Sequence, residues 1–107
     1  LQDKPQQEME ITMFKFYRGT TSHEANALSD GTQHRDVTHW TDSLEKAQMY
    51  SKGAVIEIEL DELPPHFNAY RSIAHGDAVH GNIRQWVISR EFYENRLFNW
   101  VEETRIH

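Results

Sequence analysis

Residues 40–60 read WTDSLEKAQMYSKGAVIEIEL, and the change of period inside this stretch decides the fold class. Asp42 followed three residues later by Glu45 has the form of a capping box. Leu44, Ala47 and Tyr50 recur at helical spacing, and Gly53 is a natural stop, so a helix is expected here. From Ala54 the period drops to two: Ala54, Ile56, Ile58 and Leu60 point one way and Glu57 and Glu59 the other. That is a strand with one buried face.

Working outward, EITMFKFYR (Glu10 to Arg18) is rich in β-branched and aromatic residues and reads as a strand. Thr12, Phe14, Phe16 and Arg18 share one side, and Ile11, Met13, Lys15 and Tyr17 the other. Neither side is purely polar, which predicts a central strand. SHEANALSDG predicts a short helix capped at Ser22 and stopped near Gly31, and GTQHRDVTH reads as a polar loop. DELPPHF breaks regular structure at Pro64 and Pro65. Residues 68–82, NAYRSIAHGDAVHGN, lack a period, and a loop of that length in a small domain is more often functional than idle. IRQWVISREF predicts a strand with Gln85, Val87 and Ser89 on one face and Trp86 and Ile88 on the other. FYENRLFNWVEE is compatible with helix or strand, its second half favouring strand. Phe92, Tyr93, Phe98 and Trp100 are expected in the core. Short helices among successive strands define an α+β domain.

Composition narrows the function classes. The chain has 107 residues, enough for one core. Only 37% of residues are hydrophobic, but three Trp, four Tyr and five Phe supply the bulk to close it. Eleven basic against seventeen acidic residues give a net charge of −6, which disfavours general binding to nucleic acid or anionic membrane. With no cysteine there is no disulfide, thiolate nucleophile or thiolate metal site. No apolar run approaches the ~20 residues of a membrane span, so a soluble, cytoplasmic protein is expected. Seven histidines raise the charge below about pH 6.5. His75 and His80, with Asp77 between them, do not have a zinc-ligand spacing, and no metal is expected. Residues 1–8 are polar and aperiodic and read as a flexible or vector-derived leader, with Met9 as a native start and residues 9–107 as the domain.

Three stretches, FYRGT, HWTDSLEKAQMYSKGAVIEIEL and RQWVIS, taken in that order, resemble the conserved regions of the ADP-ribosyltransferase fold across roughly residues 13–90. The resemblance implies a split mixed or antiparallel sheet with short flanking helices and NAD in a cleft between its halves. It implies that Arg18 meets the dinucleotide, where a planar guanidinium pairs with phosphate oxygens. Gly19 would let the backbone approach the nicotinamide, with Thr20 beside it. Thr41 and Ser43 would correspond to the family's paired hydroxyls, and Tyr50 to the aromatic on the nicotinamide ring. Each of these hydroxyls is equally an ordinary helix cap, and Tyr50 equally a core residue.

The resemblance departs at one place. Gln85 stands where many members carry a catalytic Glu, whose charge stabilises the oxocarbenium-like centre formed as nicotinamide leaves ribose. Either an inactivating substitution is present, or another residue acts, or the domain binds without catalysing; Glu91, six residues on, is a poor substitute. The implied activity is NAD-dependent mono-ADP-ribosyl transfer to a macromolecule, expected to be a protein, with Gln85 and Arg18 at the reacting centre. A domain of this size suits a toxin, a phage-encoded modifier or an inhibitor. The alternative is a catalytically impaired relative that uses its acidic surface to occupy a partner. Removal of a 2′-phosphate from RNA is disfavoured by the charge.

Overall fold

The computed structural model describes residues 13–67, the backbone of 71–73, and residues 84–107. Their order is β1 (Phe14–Thr20), α1 (Ser22–Ser29), β2 (Val37–Thr41), α2 (Leu44–Met49), β3 (Ala54–Leu60), β4 (Arg71–Ile73), β5 (Arg84–Ser89), α3 (Arg90–Asn95), a 3-10 turn (Leu97–Trp100) and β6 (Glu103–Ile106). The result is a small α+β domain with one antiparallel sheet in the order β4-β5-β2-β1-β3-β6. β1 is central, as its two mixed faces predict.

The sheet consists of two ladders with a thin join. β1 and β3 pair along their whole length, from Phe14 opposite Leu60 to Thr20 opposite Ala54. β2 and β5 likewise pair from Val37 opposite Ser89 to Thr41 opposite Gln85. Between β1 and β2 the register holds one pair, Tyr17 opposite Thr41. The halves are tied instead through the core, where Phe16 of β1 meets Trp86 of β5 edge-on at 4.8 Å between centroids. Edge-to-face rings add to the burial of their large apolar area, so these two side chains do what the missing hydrogen bonds do not.

The core lies on one face, under α1, α3 and the 3-10 turn. Ala25 and Leu28 of α1 pack with Ile56, Ile58 and Leu60 of β3, all almost fully buried. Phe92 and Tyr93 are core residues, as expected, with Phe98 and Trp100 packed against them at the margin. Trp40 stacks on Tyr93, whose hydroxyl donates to the Leu28 carbonyl at 2.7 Å.

Several local expectations are corrected. Residues 37–41 are a strand, although 31–39 read as a polar loop. The strand face is disguised because its inward positions are Thr38 and Trp40. Thr38 is fully buried, yet it donates to Gln33 Oε1 at 3.0 Å and accepts from Trp40 Nε1 at 2.7 Å. Gln33, buried too, donates to the carbonyls of Arg35 and Ile88. A polar inward position is tolerated because every partner is supplied from within. Glu57 is also not outward in solvent: it is 4% exposed, since β6 flanks β3 and brings His107 Nε2 to 2.7 Å from Glu57 Oε1.

Helix starts shift by a residue. Thr21, not Ser22, caps α1, accepting from the Glu24 amide, and α1 ends before Gly31, which has a φ of +90°. Ser43, not Asp42, caps α2 by accepting from the Lys46 amide at 3.1 Å. Asp42 instead takes Arg84 Nη2 at 2.7 Å. The run 92–103 is helical first, because Ser89 caps that helix by accepting from the Phe92 amide. Its second half is not the expected strand: Leu97–Trp100 is a 3-10 turn and strand begins only at Glu103. Within 68–82 a strand forms at Arg71–Ile73; His75, Asp77 and His80, and residues 1–12, lie outside the described residues.

Candidate functional site

The junction of the two ladders is where the three sequence stretches converge. Gln85 is opposite Thr41, Thr41 opposite Tyr17, and Tyr17 opposite Glu57. Antiparallel partners project from the same face about 5 Å apart, so these four residues form one row across the sheet. α2 covers part of that face. Gln85 and Tyr17 are half-buried, Thr41 buried.

Arg18 belongs to the other face. Neighbours along a strand alternate, so Arg18 follows Phe16 towards α1. Its side chain is 12% exposed. Nη2 donates to both oxygens of Glu24, at 3.2 and 3.1 Å, and Nη1 donates to the His39 carbonyl of β2 at 3.3 Å. The guanidinium therefore reaches across to β2 just past the point where β1 and β2 stop pairing. Its Nε is buried without a partner among the described residues. Thr20 donates to Glu24 Oε1, and Arg35 Nε lies 3.5 Å from Glu24 Oε2.

Gly19 is required by packing. A Cβ there would stand 2.0 Å from the Ala47 carbonyl oxygen and 2.8 Å from the Ser51 nitrogen. The end of α2 rests directly on this residue. Thr41 accepts from the Ser43 amide at 3.1 Å, and Ser43 caps α2. Both hydroxyl oxygens thus serve local backbone, while each O–H is left to donate. Tyr50 closes α2, the residue 59% exposed, with Lys46 Nζ 5.3 Å from its ring centre. The structure therefore gathers Gln85 and Thr41 in one row with Ser43 one turn beyond, places Gly19 under α2, and turns Arg18 and Thr20 to the opposite face.

Glu24, Arg35, His39 and Tyr17 were not singled out from sequence. The one available signal was an acid six residues after Arg18, in the first turn of a predicted helix. Burial pushes the Glu24 carboxyl up, but hydrogen bonds from Thr20 and Arg18 and the charges of Arg18 and Arg35 more than offset this and hold it below its ordinary 4.5. Burial, then the Arg18 charge, lowers His39 below 6.5. Burial, then Glu57, Glu59 and Asp42, raises Tyr17.

The two lowered groups, Glu24 and His39, share one sign for stability, while the raised Tyr17 has the opposite sign at alkaline pH. Between its ordinary and its lowered value, each of the first two binds more proton in the unfolded chain than in the folded one, so stability falls as pH falls. His39 acts below about pH 6.5 and Glu24 below about 4.5. The urea midpoint is expected to decline from pH 7 to 5 and more steeply below 4.5. In His39→Gln the decline between 7 and 5 should shrink; a midpoint flat to pH 4 would contradict the assignment.

Among the described residues no group of three or more His, Asp or Glu side chains is arranged to hold a metal, and no helix is long and apolar enough to cross a membrane. Comparison with protein-family models, with curated proteins and with solved structures finds no match.

Proposed function

We propose that this domain binds NAD at the junction of its two ladders and transfers ADP-ribose to a macromolecular acceptor, a protein in preference to a nucleic acid. The observation that carries the reading is the row Gln85–Thr41–Tyr17, set in register where the sheet halves part. Sequence stretches far apart in the chain and resembling one family's three conserved regions meet there. Arg18 flanks the same junction from the α1 face. Past the Tyr17–Thr41 pair the register of β1 and β2 ends and Arg18 bridges to the His39 carbonyl; in this reading the dinucleotide follows that edge from one face to the other.

In this reading the nicotinamide–ribose bond breaks with its electron pair leaving on nicotinamide, and an acceptor nucleophile closes on the ribose carbon. The Gln85 amide orients the ribose hydroxyls by hydrogen bonding but brings no charge to the cationic centre. The Thr41 and Ser43 hydroxyls donate nearby, and the ring of the exposed Tyr50 offers a stacking surface. An acceptor protein is favoured over RNA by the net charge of −6, and a chain without cysteine suits action in the cytoplasm.

A second reading is favoured by two specific features. Neither register partner of Gln85, Thr41 or Ser72, is a carboxylate, and Arg18 is already ion-paired. Both suit a protein that keeps the fold and binds a partner without turnover. Calorimetric titration with NAD up to millimolar concentration tests the first reading: heat of binding and a rise in Tm are expected. A flat titration with no shift removes NAD from the account. Binding without ADP-ribosyl adducts in lysate mass spectra selects the second reading.

A further inference from the structure

Arg18 and Thr20 of β1 and Arg35 of the segment before β2 converge on one carboxylate. Glu24 receives Nη2 of Arg18 on both oxygens, the Thr20 hydroxyl on one of them, and Arg35 on the other. Two guanidinium groups and a hydroxyl around one acidic group are the donor set of a phosphate site. The occupant here is the protein's own side chain, 9% exposed. Arg18 keeps a buried Nε with no partner among the described residues, so Glu24 does not use all of the fork. Arg35 is 66% exposed and is free to follow an incoming ligand. Glu24 sits in the first turn of α1, on an element separate from both strands of the junction.

We infer that Glu24 is a self-occluding latch on an anion site: a diphosphate-bearing ligand displaces its carboxylate, Arg18 passes to the ligand, and Arg35 becomes the second cation. The inference deepens the proposed NAD reading and rests on it for the identity of the ligand. A site that is free only part of the time binds with affinity reduced by that fraction. Removing the Glu24 charge should therefore raise affinity without adding a contact.

The probe is inorganic diphosphate at constant ionic strength, titrated calorimetrically into the intact chain. Glu24→Gln is expected to bind about tenfold tighter than the parent or better, and Glu24→Gln with Arg35→Ala to lose most of that gain. Equal affinities for parent and Glu24→Gln, or no binding by either, overturn the latch. Because Glu24→Gln leaves Arg18 without its counter-charge, its thermal melt is recorded first. Should it not fold, carboxyl NMR of the parent decides. With excess diphosphate the Glu24 titration should move up towards its ordinary value, and an unmoved titration overturns the proposal. NAD as a parallel titrant separates the two claims. Diphosphate exchange without NAD binding sinks the NAD reading alone. NAD binding equally to parent and Glu24→Gln sinks the latch alone.

Discussion

Gly19→Ala is expected to destabilise the folded domain by about 3 kcal/mol or more, at the upper end of what overpacking costs. The backbone at Gly19 has no positive φ; among the described glycines, Gly31 and Gly53 do. The penalty is therefore steric and not conformational. The added carbon would meet backbone atoms of Ala47, Tyr50 and Ser51, and backbone cannot rotate away as a side-chain tip can. Relief requires α2 to lift from β1, which would also pull at the Lys52 amide, now donating to the Thr20 carbonyl at 3.0 Å. Gly53→Ala is the matched control. There a Cβ meets nothing closer than Ser22 Oγ at 3.7 Å, and the cost is the left-handed φ alone, about 1 kcal/mol. Chemical denaturation of both variants checks the contrast. A Gly19→Ala protein as stable as the parent, but without NAD binding, would reassign Gly19 from packing to ligand approach.

Gln85→Glu is expected to raise NAD hydrolysis by about 100-fold, because one well-placed electrostatic group is worth about 100- to 1000-fold in rate. The position is half-buried, and its register partner on β2 is the neutral Thr41, so a carboxylate there meets no like charge within its own pair. Release of nicotinamide is the readout, with NAD affinity measured alongside. If affinity is unchanged and the rate rises, the charge acts on the transition state and not on the ground state. If NAD binds and hydrolysis stays where it was, residue 85 is not at the reacting centre, and the matching of RQWVIS to the family's third region is out of register.

Much of the fold was legible from period alone. The strand at 54–60, the helix before it, the strand at 84–89 and the centrality of the first strand all follow from where apolar side chains recur. The reading failed where polar groups face inward. Thr38 and Gln33 satisfy each other in the core, which hid β2 in a run that looked like loop. Glu57 was assigned to solvent because an alternating strand cannot reveal that β6 will flank it. The run after Ser89 was ambiguous because Phe92 and Tyr93 suit either element locally, and it is the Ser89 cap and the packing of Tyr93 against Trp40 that favour helix.

The candidate site divides in the same way. Gln85, Thr41 and Ser43 were picked out by the resemblance of three stretches to one family, and the register then set Gln85 beside Thr41. Glu24 and Arg35 had no pattern to announce them, because a buried ion pair is a relation between segments.

By itself the sequence determined which residues alternate, where helices can begin and end, and that this is an acidic, cysteine-free α+β chain. Only the tertiary structure decided that Arg18 turns towards α1 and pairs with Glu24, that Gly19 lies beneath α2, and that the sheet halves join at one residue pair. Periodicity records the side of its own element on which a residue lies, whereas the partner on that side is chosen by burial and charge across segments distant in the chain.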